Sequence, residues 1–355
     1  MSIYGKFYSP EKILSYGRPY NFCVGARTVG KSTGWALETI GEFLKDGWLA
    51  IYIRRTLDEL RLTSEGYFDT AAFLMGRYLC KDIKIVYKGG EYQCNGKLFG
   101  YAIPLSLQQK YKSSCYERVR NMIYDEFMIM PGSQARYIGG KNASGAEVEA
   151  MSSLYQTVDR GPDRAFRNEA RVIFIGNAGT YYNPFFIDLG IDRFLRPDTK
   201  YLAPKGALYV VEQTFETEAT KDIKQSYSYQ LSSQKTKDYA YGNKYADLLR
   251  SKDFIERTPS GERSPLITMV YEGQMYAVYA YMDKGYIWIG HGRCDGKPVL
   301  SLTCEDHRPN YLLISQWRGN YITNLVKQMY DRGSIRFADQ KCKMVLDFYL
   351  RYDII

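Results

Sequence analysis

One short segment strongly constrains how this chain can fold: a glycine-rich turn between an apolar run and a helix-compatible run. The segment 25–32 reads G-x-x-x-x-G-K-S, follows apolar residues 22–24 and opens the helix-compatible residues 32–44. In this context the pattern predicts a phosphate-binding loop, because glycines let backbone N–H groups surround phosphates at the positive end of a helix. Lys31 would neutralise the β- and γ-phosphates, and the Ser32 hydroxyl would complete a Mg²⁺ shell. The expected ATP contacts are Gly25, Ala26, Arg27, Thr28, Val29, Gly30, Lys31, Ser32 and Thr33.

Length and composition describe a globular protein with two domains. The chain has 355 residues, 45% of them hydrophobic and 25% charged, and a typical domain is roughly half that length. No apolar run reaches the roughly 18 residues of a membrane span, and the N-terminus lacks the apolar core of a signal peptide. The seven cysteines include no C-x-x-C pair, which favours reduced thiols in a cytoplasmic setting. A net charge of +9 is compatible with a polyanionic partner but is spread along the chain.

Alternating apolar and helix-compatible runs in the first 200 residues indicate a parallel sheet covered on both faces. We therefore expect an ATPase domain over residues 1–200, a helical linker over 201–255 and a smaller α+β domain over 256–355. Four strands are predicted for the first domain, with a small antiparallel meander over Asp82–Ile103. These strands are Asn21–Gly25, Trp48–Arg54, Asn121–Phe127 and Arg171–Ala178.

Two carboxylates follow the third of these strands. Asp125 at a strand tip can order the Mg²⁺ shell, and the adjacent Glu126 can act as general base on the attacking water. The next strand ends in Asn177, which can contact the γ-phosphate or that water, or simply end the strand in a turn. These side chains belong at the carboxyl edge of the sheet, where open α/β sheets bind ligands. The acid pair favours hydrolysis by water over transfer to an acceptor.

A cation that reaches the γ-phosphate from another subunit would assist phosphoryl transfer. The segment 159–171 holds Arg160, Arg164 and Arg167, and Lys112 is a further candidate. Four arginines in this segment, counting Arg171, can equally form a solvated face. The residue pattern leaves both interpretations open.

With these motifs placed, the chain resembles the DNA-packaging ATPases, or encapsidation proteins, of small tailed podophages of the phi-twenty-nine-like group. The resemblance spans nearly the whole chain and is most specific in the first half. It rests on Phe7–Tyr16, Asn21–Ser32, Ile51–Arg55 with Glu59–Leu60, Gly96–Ser106, Tyr124–Phe127, Phe166–Asn168, Gly176–Ala178 with Asn183–Pro184, and Ile335–Gln340.

The resemblance implies a P-loop ATPase of the additional-strand, catalytic-glutamate division, followed by an RNase H-like domain that has lost its nuclease site. It implies a homo-oligomeric ring, by resemblance a pentamer, that threads double-stranded DNA through the portal, or connector, of an empty capsid in the host cytoplasm. ATP and Mg²⁺ are the implied cofactors, and a structural packaging RNA is a possible partner. Lys31, Ser32, Asp125, Glu126 and Asn177 match the family's nucleotide positions.

The resemblance also guides the search for the cations that act between subunits and on DNA. Arg167 and Arg160 both align with the family's trans-acting arginine, and Lys112 matches a lysine implicated between subunits. Phosphate contacts to DNA are expected from segments that leave the strand ends as loops, at Arg55, Arg136 and Lys141. Two alternatives to a packaging motor remain, a terminase-like enzyme that also cleaves DNA and an ATP-dependent switch or scaffold.

Overall fold

The structure of the chain is a computed structural model. It describes residues 3–5, 7–112, 114, 116–129, 135–138, 146–160, 169–177, 183–191, 195, 199–214, 226–232, 237, 254–317 and 319–353. The chain divides into two compact units, Met1–Asp247 and Leu248–Ile355. None of the helices within the described ranges is long and apolar enough to cross a membrane.

The first unit is built on a nine-stranded sheet with the order β3-β4-β5-β2-β6-β7-β1-β9-β8. The six strands from β5 to β9 in that order are parallel, while β3, β4 and β8 add antiparallel edges. The strands are β1 (Tyr20–Gly25), β2 (Leu49–Arg54), β3 (Ile85–Lys88), β4 (Glu91–Cys94), β5 (Lys97–Pro104), β6 (Val119–Asp125), β7 (Arg171–Asn177), β8 (Tyr201–Leu202) and β9 (Tyr209–Thr214).

Helices cover this sheet, and the central strands are buried on both faces, as a parallel sheet requires. Along β1, Cys23 packs with Trp35 of the following helix in one layer, whereas Phe22 stacks on Phe174 in the other. The helices are α1 (Glu11–Leu14), α2 (Lys31–Asp46), α3 (Leu57–Thr63), α4 (Asp69–Leu79), α5 (Ala146–Asp159), α6 (Pro184–Asp188) and α7 (Tyr227–Gln230), with a 3₁₀ helix at Leu105–Tyr111.

Strand order decides which loops meet at the carboxyl edge of the sheet. β7 lies between β1 and β6 and pairs with both, so an additional strand separates the glycine-rich loop from the acid pair. In register, Gly25 lies beside Asn177 on one side and Thr214 on the other. The carboxyl ends of β1, β6, β7 and β9 therefore lie together at one edge of the sheet.

The second unit has a six-stranded mixed sheet with the order β14-β13-β10-β11-β12-β15. β10, β11 and β12 form an antiparallel meander, and the remaining strands join in parallel. The elements are β10 (Ser264–Tyr271), β11 (Gln274–Tyr281), β12 (Tyr286–His291), β13 (Val299–Ser301), β14 (Leu312–Leu313), β15 (Ile335–Phe337), α8 (Tyr321–Asp331) and α9 (Gln340–Asp353), with a 3₁₀ helix at Ile314–Trp317.

The predicted end of the first domain at residue 200 lies too early in the chain. β9 falls in the segment expected to be a helical linker, yet it pairs in parallel along the whole of β1. Its six residues are all buried, so the sheet would expose β1 without it. The division between the units at 247/248 falls inside the predicted linker, whose residues 215–225, 233–236 and 238–253 lie outside the described residues.

Candidate nucleotide site

The loop after β1 has the glycines that its geometry demands. A Cβ on Gly25 would collide with Thr214 on the neighbouring strand, and Gly30 adopts the left-handed conformation with φ +82°. A Cβ on Gly30 would also lie 2.7 Å from the ring of Phe7. α2 begins directly after Gly30, which provides no side-chain cap, and its first turn holds no acidic residue. The N–H groups at this helix start are therefore suited to an anion such as a phosphate.

Lys31 supplies a buried ammonium group inside this loop. Its Nζ donates to the backbone oxygens of Gly25 at 3.1 Å and Ala26 at 2.6 Å. Burial lowers the pKa of Lys31 to about 8, although the Asp125 carboxylate partly opposes that shift. A buried cation held mainly by neutral carbonyl groups is well matched to an incoming phosphate, so the loop fits a nucleoside triphosphate.

Asp125 and Ser32 form the oxygen pair expected to hold a metal ion. The Ser32 hydroxyl donates to Asp125 Oδ1 at 3.3 Å, although the two residues are 93 positions apart in the chain. Burial raises the pKa of Asp125 to about 6, while the nearby Arg54 guanidinium opposes that rise. A carboxylate and a hydroxyl are hard oxygen donors of the type that Mg²⁺ prefers, so this pair fits the predicted ion.

Glu126 differs sharply from its neighbour Asp125. Its backbone adopts a left-handed conformation with φ +56°, which is uncommon for a residue with a side chain. Its side chain is 60% exposed and accepts a bond from Arg54 Nη2 at 2.8 Å. Strained backbone of this kind often marks functional sites. The Glu126 carboxylate is therefore accessible to water, as its predicted role as general base requires.

Arg54 is a component of the site that the sequence analysis missed. It is the last residue of β2, whose neighbour in the sheet is β6, and its side chain is only 8% exposed. Its guanidinium lies 3.5 Å from Asp125 and 3.7 Å from Glu59, in addition to its bond with Glu126. Its place at the tip of a predicted strand was the available signal, but only the strand order puts it beside both acids.

Asn177 lies at the tip of β7, level with Gly25 in the strand register. It is partly buried. The structure therefore brings together the loop, the two carboxylates and this amide at one edge of the sheet. The role of Asn177 as a sensor of the γ-phosphate stays a prediction.

Comparisons with known proteins identify the family. A family model of podovirus DNA encapsidation proteins (Gp16) matches residues 3–354. The chain belongs to this family. The DNA packaging protein of Bacillus phage phi29 is 30% identical over 345 residues, which cover 94% of each chain. The solved phi29 viral genome packaging motor assembly matches with a TM-score of 0.73 at 27% identity, covering 99% of this chain and 100% of that one.

A second relative extends the comparison within the encapsidation family. The DNA packaging protein of Bacillus phage B103 is 29% identical over 344 residues, covering 94% of this chain and 97% of the relative. Together these similarities confirm the predicted family and its P-loop fold class. The chain is a DNA-packaging protein of the podovirus encapsidation family.

The cations predicted to act between subunits of this encapsidation protein lie apart from the loop in the chain. Arg160 directly follows α5, is exposed, and its N–H donates to the Gln156 oxygen at 3.2 Å. Lys112 is exposed at the end of the 3₁₀ helix Leu105–Tyr111. Arg164 and Arg167 lie outside the described residues.

The prediction that Arg55 contacts DNA was wrong, because the structure places its side chain in the interior. Its side chain is buried, with 3% of the residue exposed, and Nε lies 2.9 Å from a carboxylate oxygen of Glu147. Nη2 donates to the Phe127 backbone oxygen at 2.7 Å, and the guanidinium packs over the Tyr124 and Tyr137 rings. Glu147 also accepts bonds from the Tyr124 hydroxyl and the Ile138 N–H. Arg55 is thus a structural residue, whereas Arg136 is exposed and Lys141 lies outside the described residues.

In the second unit, the Asp306 carboxylate has a structural role. Asp306 accepts bonds from the N–H groups of Glu272 at 2.9 Å and Gly273 at 2.7 Å, which fixes the turn between β10 and β11. It also accepts from the Thr303 hydroxyl at 2.8 Å. Within the described ranges, no group of three or more metal-ligating side chains contains two carboxylates. Two-metal hydrolysis of DNA needs such a group.

Proposed function

We propose that this encapsidation protein hydrolyses ATP with Mg²⁺ and uses the energy to move double-stranded viral DNA into a preformed capsid. The observation that carries the proposal is the convergence of Lys31, the Ser32–Asp125 pair and Glu126 at the carboxyl edge of one sheet. Each group belongs to a different part of the phosphoryl-transfer machinery.

The proposed roles follow from the environment of each side chain. Lys31 and the N–H groups at the start of α2 bind the phosphates, and Ser32 and Asp125 hold the metal ion. When bound, Mg²⁺ supplies positive charge that offsets the charge developing on the phosphate oxygens. Glu126 accepts a proton from the attacking water, and Arg54 orients the Glu126 carboxylate through the 2.8 Å bond.

The motor is proposed to work as a homo-oligomeric ring, most simply a pentamer as the family resemblance implies. Arg167 is the first choice for a cation supplied in trans, and Arg160 is the second. Lys112 also contacts the site of a neighbouring subunit. The exposure of Arg160 and Lys112 supports contacts between subunits. The ring attaches transiently to the portal or connector of the procapsid in the host cytoplasm. A structural packaging RNA is a further candidate partner.

The DNA is proposed to be held through its phosphates and independently of sequence, because a packaging motor has to accept any base sequence. Arg136, which is exposed, and Lys141 remain the candidate contacts. Binding should therefore weaken steeply as salt rises. Affinity that ignores ionic strength, or a strong preference for one base sequence, would contradict this proposal.

The central test compares Lys31→Ala and Glu126→Gln with wild type in phosphate release and in binding of a fluorescent ATP analogue. Lys31→Ala should lose both, because the loop then holds no buried cation. Glu126→Gln should bind normally but hydrolyse roughly 10²–10⁴-fold more slowly, because an amide cannot accept the proton. The control is Glu65→Gln, which neutralises an exposed carboxylate just after the end of α3.

Two outcomes would redirect the assignment. Normal hydrolysis by Glu126→Gln would require another base, and normal hydrolysis by Lys31→Ala would remove the loop from the active site. Turnover that capsids and DNA do not stimulate would favour a switch or scaffold. Metal-dependent cleavage of DNA by the full chain would favour a terminase-like enzyme that also cuts.

A further inference from the structure

A cluster of three potential metal-binding side chains lies in the second unit, where β12 and β15 end. These strands pair in parallel, with Ile289 opposite Phe337, and the Ala338 N–H donates to the Ile289 oxygen at 2.8 Å. Continuing that register by two residues places His291 beside Asp339. The first turn of α9 then adds Cys342.

These three side chains present three different donor atoms to one point. One ligand atom from each, an imidazole nitrogen, a carboxylate oxygen and a thiol sulfur, lies within 4.8 Å of the others. Asp339 Oδ1 accepts the Cys342 N–H at 3.0 Å, which fixes the carboxylate against the helix start. Its Oδ2 lies 2.5 Å from His291 Nε2. The Tyr276 ring packs against His291 with 5.4 Å between ring centroids, which limits rotation of the imidazole.

We propose that His291, Asp339 and Cys342 bind a divalent transition-metal ion of the zinc class. Sulfur and imidazole donors favour zinc over Mg²⁺ or Ca²⁺, and three protein ligands leave one position for water. Binding replaces the Cys342 thiol proton, which passes to solvent, and the neutral imidazole of His291 binds through Nε2 with its proton on Nδ1.

The geometry needs only a small adjustment. Ligand bonds of roughly 2.0 Å in a tetrahedral site separate nitrogen and oxygen by about 3.3 Å, compared with 2.5 Å between His291 and Asp339 now. Their side chains are 48% and 49% exposed, so they can move apart into solvent. Cys342 is buried below them and needs to turn only its sulfur. The ion would clip β12, β15 and α9 together.

The test is a Co²⁺ titration of the full chain in the absence of nucleotide. Co²⁺ bound at a zinc-class site absorbs in two ways. A thiolate ligand gives a thiolate-to-cobalt charge-transfer band, and four-coordinate geometry gives intense visible bands. Wild type should show both bands, and Cys342→Ala should lose the charge-transfer band. Asp339→Asn, which keeps an acceptor for the Cys342 N–H, and His291→Gln should weaken Co²⁺ binding by more than the roughly 10–100-fold that loss of an outer partner costs.

Two controls make the result specific. Cys304→Ala removes an exposed free cysteine in the same unit and should keep the band, and Lys31→Ala should keep it because the site does not depend on nucleotide binding. Zn²⁺ should also raise the Tm of wild type but not of His291→Gln, an exposed substitution expected to fold even if Cys342→Ala does not. Absence of a charge-transfer band in wild type, or equal Zn²⁺ effects on all variants, would show that the cluster is only a helix cap and an ion pair.

Discussion

Arg54 offers a sharp test of how the proposed ATP site is organised, because its guanidinium lies near both carboxylates of the acid pair. We predict that Arg54→Met binds ATP with near-normal affinity but hydrolyses it more slowly. The substitution keeps the apolar stem in its buried position and removes the charge that holds Glu126 at 2.8 Å. Glu126, the proposed general base, then loses its orientation, whereas the proposed phosphate contacts of Lys31 remain.

The expected size of the effect follows from the exposure of the two partners. A hydrogen bond to a charged group contributes about 1.5–3 kcal/mol, but a 60% exposed Glu126 is screened by solvent, which lowers the value toward about 1 kcal/mol. That loss corresponds to a kcat lower by roughly fivefold. Arg54→Lys, which keeps the charge but not the planar fork, should recover part of the rate.

The pH profile separates a positioning role from a merely structural one. Burial raises the pKa of Asp125 to about 6, and Arg54 opposes that rise by favouring the ionised form. Without Arg54 the carboxyl group holds its proton to higher pH, so the acid limb of kcat/KM should move to higher pH. The assay is steady-state phosphate release, measured from about pH 5 to about pH 9.

Arg61→Met is the matched control, because Arg61 is 69% exposed and its ion-pair partner among the described residues is the exposed Asp58 on the same helix. It should change neither kcat nor the pH profile. If Arg54→Met retained the wild-type kcat and acid limb while still binding nucleotide, Arg54 would not position the base. A higher kcat would also contradict a positioning role, since it would mean that Arg54 holds Glu126 away from the water.

Three further predictions concern packing, the loop and the ring. Arg55→Met should lower the free energy of unfolding by about 3–5 kcal/mol in urea denaturation, because it leaves the fully buried Glu147 without its cation; an unchanged midpoint would contradict the structural role. Gly25→Ala should abolish ATP-analogue binding while the chain still folds, because the added methyl collides with the end of β9; retained binding would show that the loop can shift. Mixing inactive Arg167→Ala subunits with inactive Glu126→Gln subunits should partly restore hydrolysis if the arginine acts in trans, whereas a mixture as inactive as its parents would move Arg160 to first place.

Local sequence was sufficient to predict the role of a residue wherever that role depends on its neighbours in the chain. The glycines and Lys31 lie within one turn, so the spacing alone predicts the loop and the helix that follows. The acid pair was predicted in the same way, because the apolar residues Met122–Tyr124 of β6 lead directly to Asp125. The meander β3–β5 was also predicted, since its turn residues lie between short strands.

Tertiary structure decided the roles of Arg54 and Arg55, which are adjacent in sequence. Arg54 ends β2 and faces the acid pair, whereas Arg55 turns to the buried carboxylate of Glu147, 92 residues later. A sequence pattern cannot separate them, because both are arginines at a strand end and their environments depend on which strands are neighbours.

The same reason explains the position of β9. Its residues looked like the start of a linker, but they complete the sheet beside β1. Local sequence therefore sets the chemistry that the loop and the strand ends can supply. The order of the strands decided which of those ends meet, because parallel pairing joins segments that are far apart in the chain and leaves no local signal of the partner.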